Sequence, residues 1–156
     1  MIYQIEIVNK KGFPDQHGKH LLHSIKESGF KGVNKVAYSS LYQIEGHLSL
    51  REIDSIARHL LSDPVTETYT VCNPQNPRHS EAAGAQEVEV WPRHGVTDTT
   101  ADSVVKAVQD MNINKSIKVK TGQKYVIESS LSKAAVEQVV KRLLANPMIQ
   151  EFKFIR

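Results

Sequence analysis

The chain has 156 residues, 40% hydrophobic and 24% charged, with one cysteine, one tryptophan and a formal charge of only +3. A single thiol, Cys72, can form no internal disulfide and build no cysteine-rich zinc module, so a reduced, cytoplasmic setting is expected. The uncharged apolar runs are a few residues long, far below the roughly 20 that cross a bilayer.

The opening Met1-Ile-Tyr-Gln-Ile-Glu6 lacks the pattern of a secretory signal and is predicted to be a first strand, with Ile5 and Ile7 alternating with Glu6 as in a half-buried sheet. Gly12 supplies turn geometry, and Asp15 stands where a side chain accepts from the free amides of a helix start. That helix runs to about Ser28. Residues 33–38 and 42–48 are predicted as two strands of a hairpin joined at Ser39-Ser40. Ser49, with Glu52 three places on, has the spacing of a capping box, and Ile53, Ile56, Ala57, Leu60 and Leu61 then mark one face of a second helix. Asp63-Pro64 stops it, because the residue before a proline is pushed out of helical geometry. A last strand follows at 69–71. Residues 72–85 hold prolines, asparagines and small residues with no apolar period, the composition of a linker.

Beyond the linker the same order begins again. A shift of 83 positions places Gly12 on Gly95, Asp15 on Asp98, Tyr42 on Tyr125, Glu45 on Glu128, Leu60-Leu61 on Leu143-Leu144 and Pro64 on Pro147. The apolar positions obey the same shift: Ile53, Ile56 and Ala57 become Val136, Val139 and Val140. The second copy therefore predicts a strand at 88–90, a helix to about Met111, a hairpin of 117–120 and 125–131 turning at Gly122, a helix ended by Asn146-Pro147, and a strand at 152–155. The expectation is an α+β chain of two ferredoxin-like β-α-β-β-α-β repeats, residues 1–71 and 86–156. Each copy is marginal alone at about 70 residues, so their antiparallel sheets are expected to pack as an intramolecular pseudo-dimer.

Candidate chemistry is sparse. His17, His20 and His23 recur every three residues on the first helix, but no acidic third ligand lies at helical spacing, and the second copy has Thr100, Ser103 and Lys106 there. A solvated face is the expectation. No histidine stands in fixed relation to Cys72, so nothing marks it as a nucleophile. The isolated glycines form no phosphate cradle. Charge is uneven: residues 1–71 hold 8 basic and 8 acidic side chains, residues 86–156 hold 11 and 8, and the linker one of each. Lys115, Lys118, Lys120 and Lys124 concentrate the excess around the second hairpin. They could dock an acidic protein surface or a phosphate, or simply keep an edge solvated. RNA binding would want aromatic residues at mid-strand, and Tyr125 alone does not provide that.

Gly12-Phe13-Pro14-Asp15-x-x-Gly18, Lys120-x-Gly122-x-Lys124-Tyr125 and, above all, Leu143-Leu144-Ala145-Asn146-Pro147-Met148-Ile149-Gln150-Glu151-Phe152 resemble the PurS family, the small subunit of phosphoribosylformylglycinamidine synthase. The resemblance covers nearly the whole chain, once per copy. Leu41 departs from it, standing where a lysine would be expected. What the resemblance implies is a non-catalytic part of a purine-biosynthetic amidoligase that bridges a PurL-type synthetase and a PurQ-type glutaminase. Formylglycinamide ribonucleotide would become formylglycinamidine ribonucleotide at the expense of glutamine. ATP and magnesium would belong to the partner synthetase, and no catalytic residue, cofactor or metal site is expected in this chain. Partner docking is assigned to Lys118, Lys120, Lys124 and Tyr125, with the linker second. Further homo-dimerisation is open, and neither nucleic acid nor membrane is expected as a partner. The alternative is a tandem ferredoxin-like module that senses a small metabolite.

Overall fold

The computed structural model describes residues 1–156. Its elements are β1 (Ile2–Asn9), α1 (Gln16–Glu27), β2 (Val33–Glu45), α2 (Leu50–Ile56) and β3 (Glu67–Cys72), then β4 (Gln86–Pro92), α3 (Thr99–Asp110), β5 (Lys118–Ser129), α4 (Lys133–Val139) and β6 (Gln150–Phe154). Strands are hydrogen-bonded in the order β3-β1-β2-β5-β4-β6. The duplication is visible in the register itself. Ile5 faces Tyr42 and Val71 across the ladder, and Val88 faces Tyr125 and Phe154, each 83 positions on.

Neither predicted hairpin forms. Each is replaced by one long strand, β2 through Ser39-Ser40 and β5 through Gly122. The reason lies in the residues at the expected turns and the partners they meet. Gly122 does not take up a positive φ, whereas the turn glycines Gly12 and Gly95 do, at 96° and 86°. Ser39 is buried, and its hydroxyl donates to Glu6 Oε1 at 2.8 Å, while Ser40 stands in the ladder opposite Ile7. With no residue demanding a reversal, the extended backbone keeps its hydrogen bonds by continuing straight.

The opened strands redistribute the copies between two compact units. One unit comprises residues 1–13, 39–78 and 97–122; the other comprises 14–38, 79–96 and 123–156. The first contains β3, β1, the second half of β2 and the start of β5. Its core sets Tyr3, Ile5, Ile44, Ile53 and Ile56 of the first copy against Val104 and Val108 of α3 from the second. The other unit contains the first part of β2, the rest of β5, β4 and β6. Its core sets Val88, Val90, Val136 and Val139 against Ile25, Val33 and Val36 of the first copy. Each unit is thus a four-stranded, two-helix body whose first helix is lent by the other copy.

One aspartate per unit organises this arrangement. In α1, Asp15 Oδ1 accepts from the Gly18 amide at 2.8 Å as an N-cap, and Oδ2 accepts from the Tyr38 amide at 2.8 Å in mid-β2. In α3, Asp98 Oδ1 accepts from the Ala101 amide at 2.9 Å, and Oδ2 accepts from the Thr121 amide at 2.9 Å in mid-β5. The Thr121 hydroxyl adds a further bond to Asp98. At Gly18, whose amide the cap binds, the copies differ in bulk. A Cβ there would run into the Val36 carbonyl oxygen, whereas Ala101 occupies the equivalent place in α3.

The second helices also agree between copies. The capping box of Ser49 and Glu52 is formed in full, and Ser132 accepts from the Ala135 amide. Both α2 and α4 widen into a π-helical turn, at Ala57–Leu61 and Val140–Leu144, which the apolar spacing alone does not reveal. Asp63 and Asn146 then accept from the Val65 and Met148 amides in the turns expected at Asp-Pro and Asn-Pro. The equivalent side chains Lys10 and Arg93 donate to the Pro64 and Pro147 carbonyls.

Two outcomes are expected. Asp98→Ala should lose about 2 to 4 kcal/mol in urea unfolding, since it removes a cap and strands a mid-strand amide. Asp98→Asn, which keeps one acceptor, should fall between it and the native chain, and Ser132→Ala should cost only about 1 kcal/mol. Residues 1–73 expressed alone, lacking Val104 and Val108, should show no cooperative thermal transition, and mixing with residues 85–156 should restore one.

Candidate docking site on the long strands

β5 carries all four residues assigned to docking. Lys118, Lys120 and Lys124 share one side of the strand by their even spacing, and Tyr125 takes the other. Their environments diverge sharply along the strand. Lys118 is exposed and lines a cavity of about 190 Å³ with Glu45, Gly46, His47, Ser116 and Ile117. Lys120 is half-buried. Lys124 and Tyr125 are only 3% and 4% exposed. Tyr125 belongs to a core, where burial and then the neighbouring Tyr38 push its phenol up to about 12. Lys118 and Lys120 are therefore the members of the set that reach the surface, and Lys124 and Tyr125 are interior groups. Lys115 is tied to Glu52 at 2.6 Å, a bond that holds the Glu52 carboxyl below its ordinary value.

Lys124 is interior because its charge is matched. Its Nζ lies 3.2 Å from Oε1 of Glu87, a β4 residue with no exposed surface. The same carboxylate accepts from the Ser80 amide at 3.0 Å, meets His79 Nδ1 at 3.0 Å and lies 3.5 Å from Arg156 Nη1. Arg156 in turn donates to the Ser80 carbonyl at 2.6 Å. Burial pushes Glu87 up, but the Ser80 amide, Lys124 and His79 together outweigh it and hold the carboxyl below its usual range. His79-Ser80 of the linker is consequently fastened to the sheet. Next along β4, Glu89 is also buried, bonded to Trp91 Nε1 at 3.2 Å and 3.5 Å from Lys153 Nζ. The period-two pattern predicted a half-buried strand, but β4 is buried on both sides because these carboxylates are partnered.

This cluster was missed in the sequence although a signal for it exists. Under the shift of 83, Glu87 corresponds to Gln4 and Lys124 to Leu41. Two neighbouring ladder positions thus change from uncharged to oppositely charged together. In the first copy Gln4 simply accepts from Gln43 Nε2 at 3.0 Å. Leu41, the departure from the family pattern noted above, is fully buried where Lys124 would otherwise need a carboxylate.

The remaining candidates lie apart from this cluster. His17, His20 and His23 are exposed. His17 stacks on Tyr38 with ring centroids 3.9 Å apart, Tyr38 tilts onto Tyr125, and His23 pairs with Glu27 at 3.1 Å. No three His, Cys, Asp or Glu side chains converge on one point. Cys72, half-buried, closes β3 opposite Gln4. No helix is long and apolar enough to cross a membrane.

Removing one side of the buried pair should be costly. Lys124→Met is expected to lose about 3 kcal/mol, whereas Lys124→Met with Glu87→Gln should recover much of it, because no unpaired charge then stays buried. Since Glu87 holds its charge to lower pH in the folded chain, its contribution is present above the unfolded value near 4.5 and is lost as pH falls through the lower folded value. Acid titration of stability should therefore be shallower for Glu87→Gln than for the native chain.

Comparison with known proteins follows the same division of the chain. The family model for PurS, phosphoribosylformylglycinamidine (FGAM) synthase, matches twice, over residues 2–73 and 85–156. Among solved structures, PurS from Methanocaldococcus jannaschii, one of the subunits of formylglycinamide ribonucleotide amidotransferase in the purine biosynthetic pathway, matches at 21% identity and a TM-score of 0.42, covering 46% of this chain and 92% of that one. Comparison with the curated proteins gives no match. With two family matches that leave only the linker and the extreme N-terminal residue outside, the chain belongs to the PurS family of FGAM synthase, present as a tandem duplication.

Proposed function

We propose that this chain is a non-catalytic PurS-type subunit or module that bridges the PurL-type synthetase and PurQ-type glutaminase parts of FGAM synthase. In that reading it supports the glutamine-dependent conversion of formylglycinamide ribonucleotide to formylglycinamidine ribonucleotide in the cytoplasm, with ATP and magnesium held by the synthetase. The observation that carries the reading is the double family match, one per copy. Each unit fills its interior with packed apolar side chains, which leaves its outer surface for partners. The bridge's work would be to hold two catalytic bodies so that ammonia passes between them without loss to water.

Co-purification tests it. The full chain, tagged and mixed with both subunits in the presence of glutamine, magnesium and ADP, should retain both; failure to retain either would refute the bridge. A metabolite that raised the melting temperature with no protein partner present would instead favour a sensing module.

A further inference from the structure

The two units are built alike, yet their helical layers carry different charge. In the unit formed by residues 14–38, 79–96 and 123–156, α1 lies beside the π-helical turn that ends α4. This layer exposes five cations: Lys19 and Lys26 on α1, Lys133 on α4, and Lys141 and Arg142 on the turn. Its two acids are both occupied within the layer, Glu27 by His23 at 3.1 Å and Glu137 by Lys141 at 3.4 Å. The corresponding layer of the other unit, α3 with α2 and its π-helical turn, holds Lys106, Arg51 and Arg58 against Asp102, Asp110, Glu52 and Asp54. One layer is strongly basic and the other slightly acidic.

The basic layer is also organised. Lys19, His23 and Lys26 fall at i, i+4 and i+7, one exposed stripe of α1 that flanks its buried Gly18 and Ile25. Arg142 lies over the Phe30 ring, 5.8 Å from its centroid, just beyond the C-terminus of α1, so its guanidinium stands close to the end of that stripe. Met148, 84% exposed, lies in the turn that leads from the end of this layer into β6.

Resting on the bridging role above, we infer that this helical layer, with Lys19, Lys26 and Arg142 at its centre, is the face on which the chain docks an acidic surface of a partner subunit of the synthase. Cations in excess set the sign of the partner, and an Asp- or Glu-rich patch is what they complement. The bridging role above makes that patch a protein surface rather than a nucleic acid. The interaction is electrostatic and exposed, so it acts mainly on association rate and is screened by salt.

The test uses the full chain carrying Lys19→Glu, Lys26→Glu and Arg142→Glu together, with Arg51→Glu and Lys106→Glu as the control on the other layer. Affinities for the synthetase and for the glutaminase are measured by surface plasmon resonance at low and at physiological salt. The triple variant should bind at least one subunit about tenfold more weakly at low salt, with a flatter salt dependence and an unchanged melting temperature. The control should stay within about twofold. If the native chain binds both subunits and the triple variant binds them equally well, the docking face is overturned and the bridge survives. If the native chain binds neither, the bridge itself fails and this inference with it. Loss of RNA retention alone, or a change only in the chain's own mass in solution, would likewise overturn it in favour of a nucleic acid or a second copy.

Discussion

The fold turns on a carboxylate that does two jobs at once. Asp15 and Asp98 each cap a helix with one oxygen and hold a mid-strand amide with the other. The helix start and the strand midpoint are 23 residues apart in sequence, so this bond fixes where the helix leaves the sheet and which point of the long strand it returns to. Tyr38 ends one block of a compact unit, and Thr121 lies one residue from the end of another. The aspartates therefore anchor the strand next to the place where it passes out of the unit, and the remainder continues as a strand of the other unit. A turn at that place would have kept every element within its own copy. A continuous strand forces the exchange.

That exchange accounts for how two small copies each obtain a core. A body of about 70 residues buries a low share of its surface, and its stability rests on a handful of large apolar side chains. Here each core is completed by a helix of the other copy, Val104 and Val108 in one unit and Ile25 in the other. Repeats in sequence and bodies in space are consequently different partitions of the same chain. The family matches follow the first partition and the hydrophobic cores follow the second.

Elements governed by local chemistry were legible in the sequence. The caps at Asp15, Asp98 and Ser49, the apolar faces of both second helices and the stops at Pro64 and Pro147 depend on residues within one or two turns, and each stands where its spacing put it. The hairpins were misread because a run of strand residues interrupted by serines or one glycine looks the same whether it turns or continues. What decides is a distant partner: Glu6 for the Ser39 hydroxyl and Asp15 for the Tyr38 amide. The docking set suffered in the same way. Lys118 and Lys124 are alike in composition and spacing, but Lys124 stands opposite Glu89 and beside Glu87 on β4, and pairing with Glu87 takes it into the interior.

The same constraint explains where the copies are free to differ. Positions joined by the shift of 83 repeat their hydrogen bonds almost atom for atom, from the caps to the lysine or arginine that donates to the proline carbonyl. Backbone geometry tolerates little change at such positions, so both copies remain superposable there. Differences gather in two places. One is the sheet of the second copy, where Glu87 and Lys124 replace Gln4 and Leu41 and give the linker a carboxylate to hold. The other is the outward face of the helices, where side chains meet only neighbours on the surface and one layer has become basic while its counterpart has not. A homodimer must present the same surface twice. Duplication within one chain removes that obligation, and charge on the outer helices is the property that can diverge without disturbing the aspartate-held frame beneath.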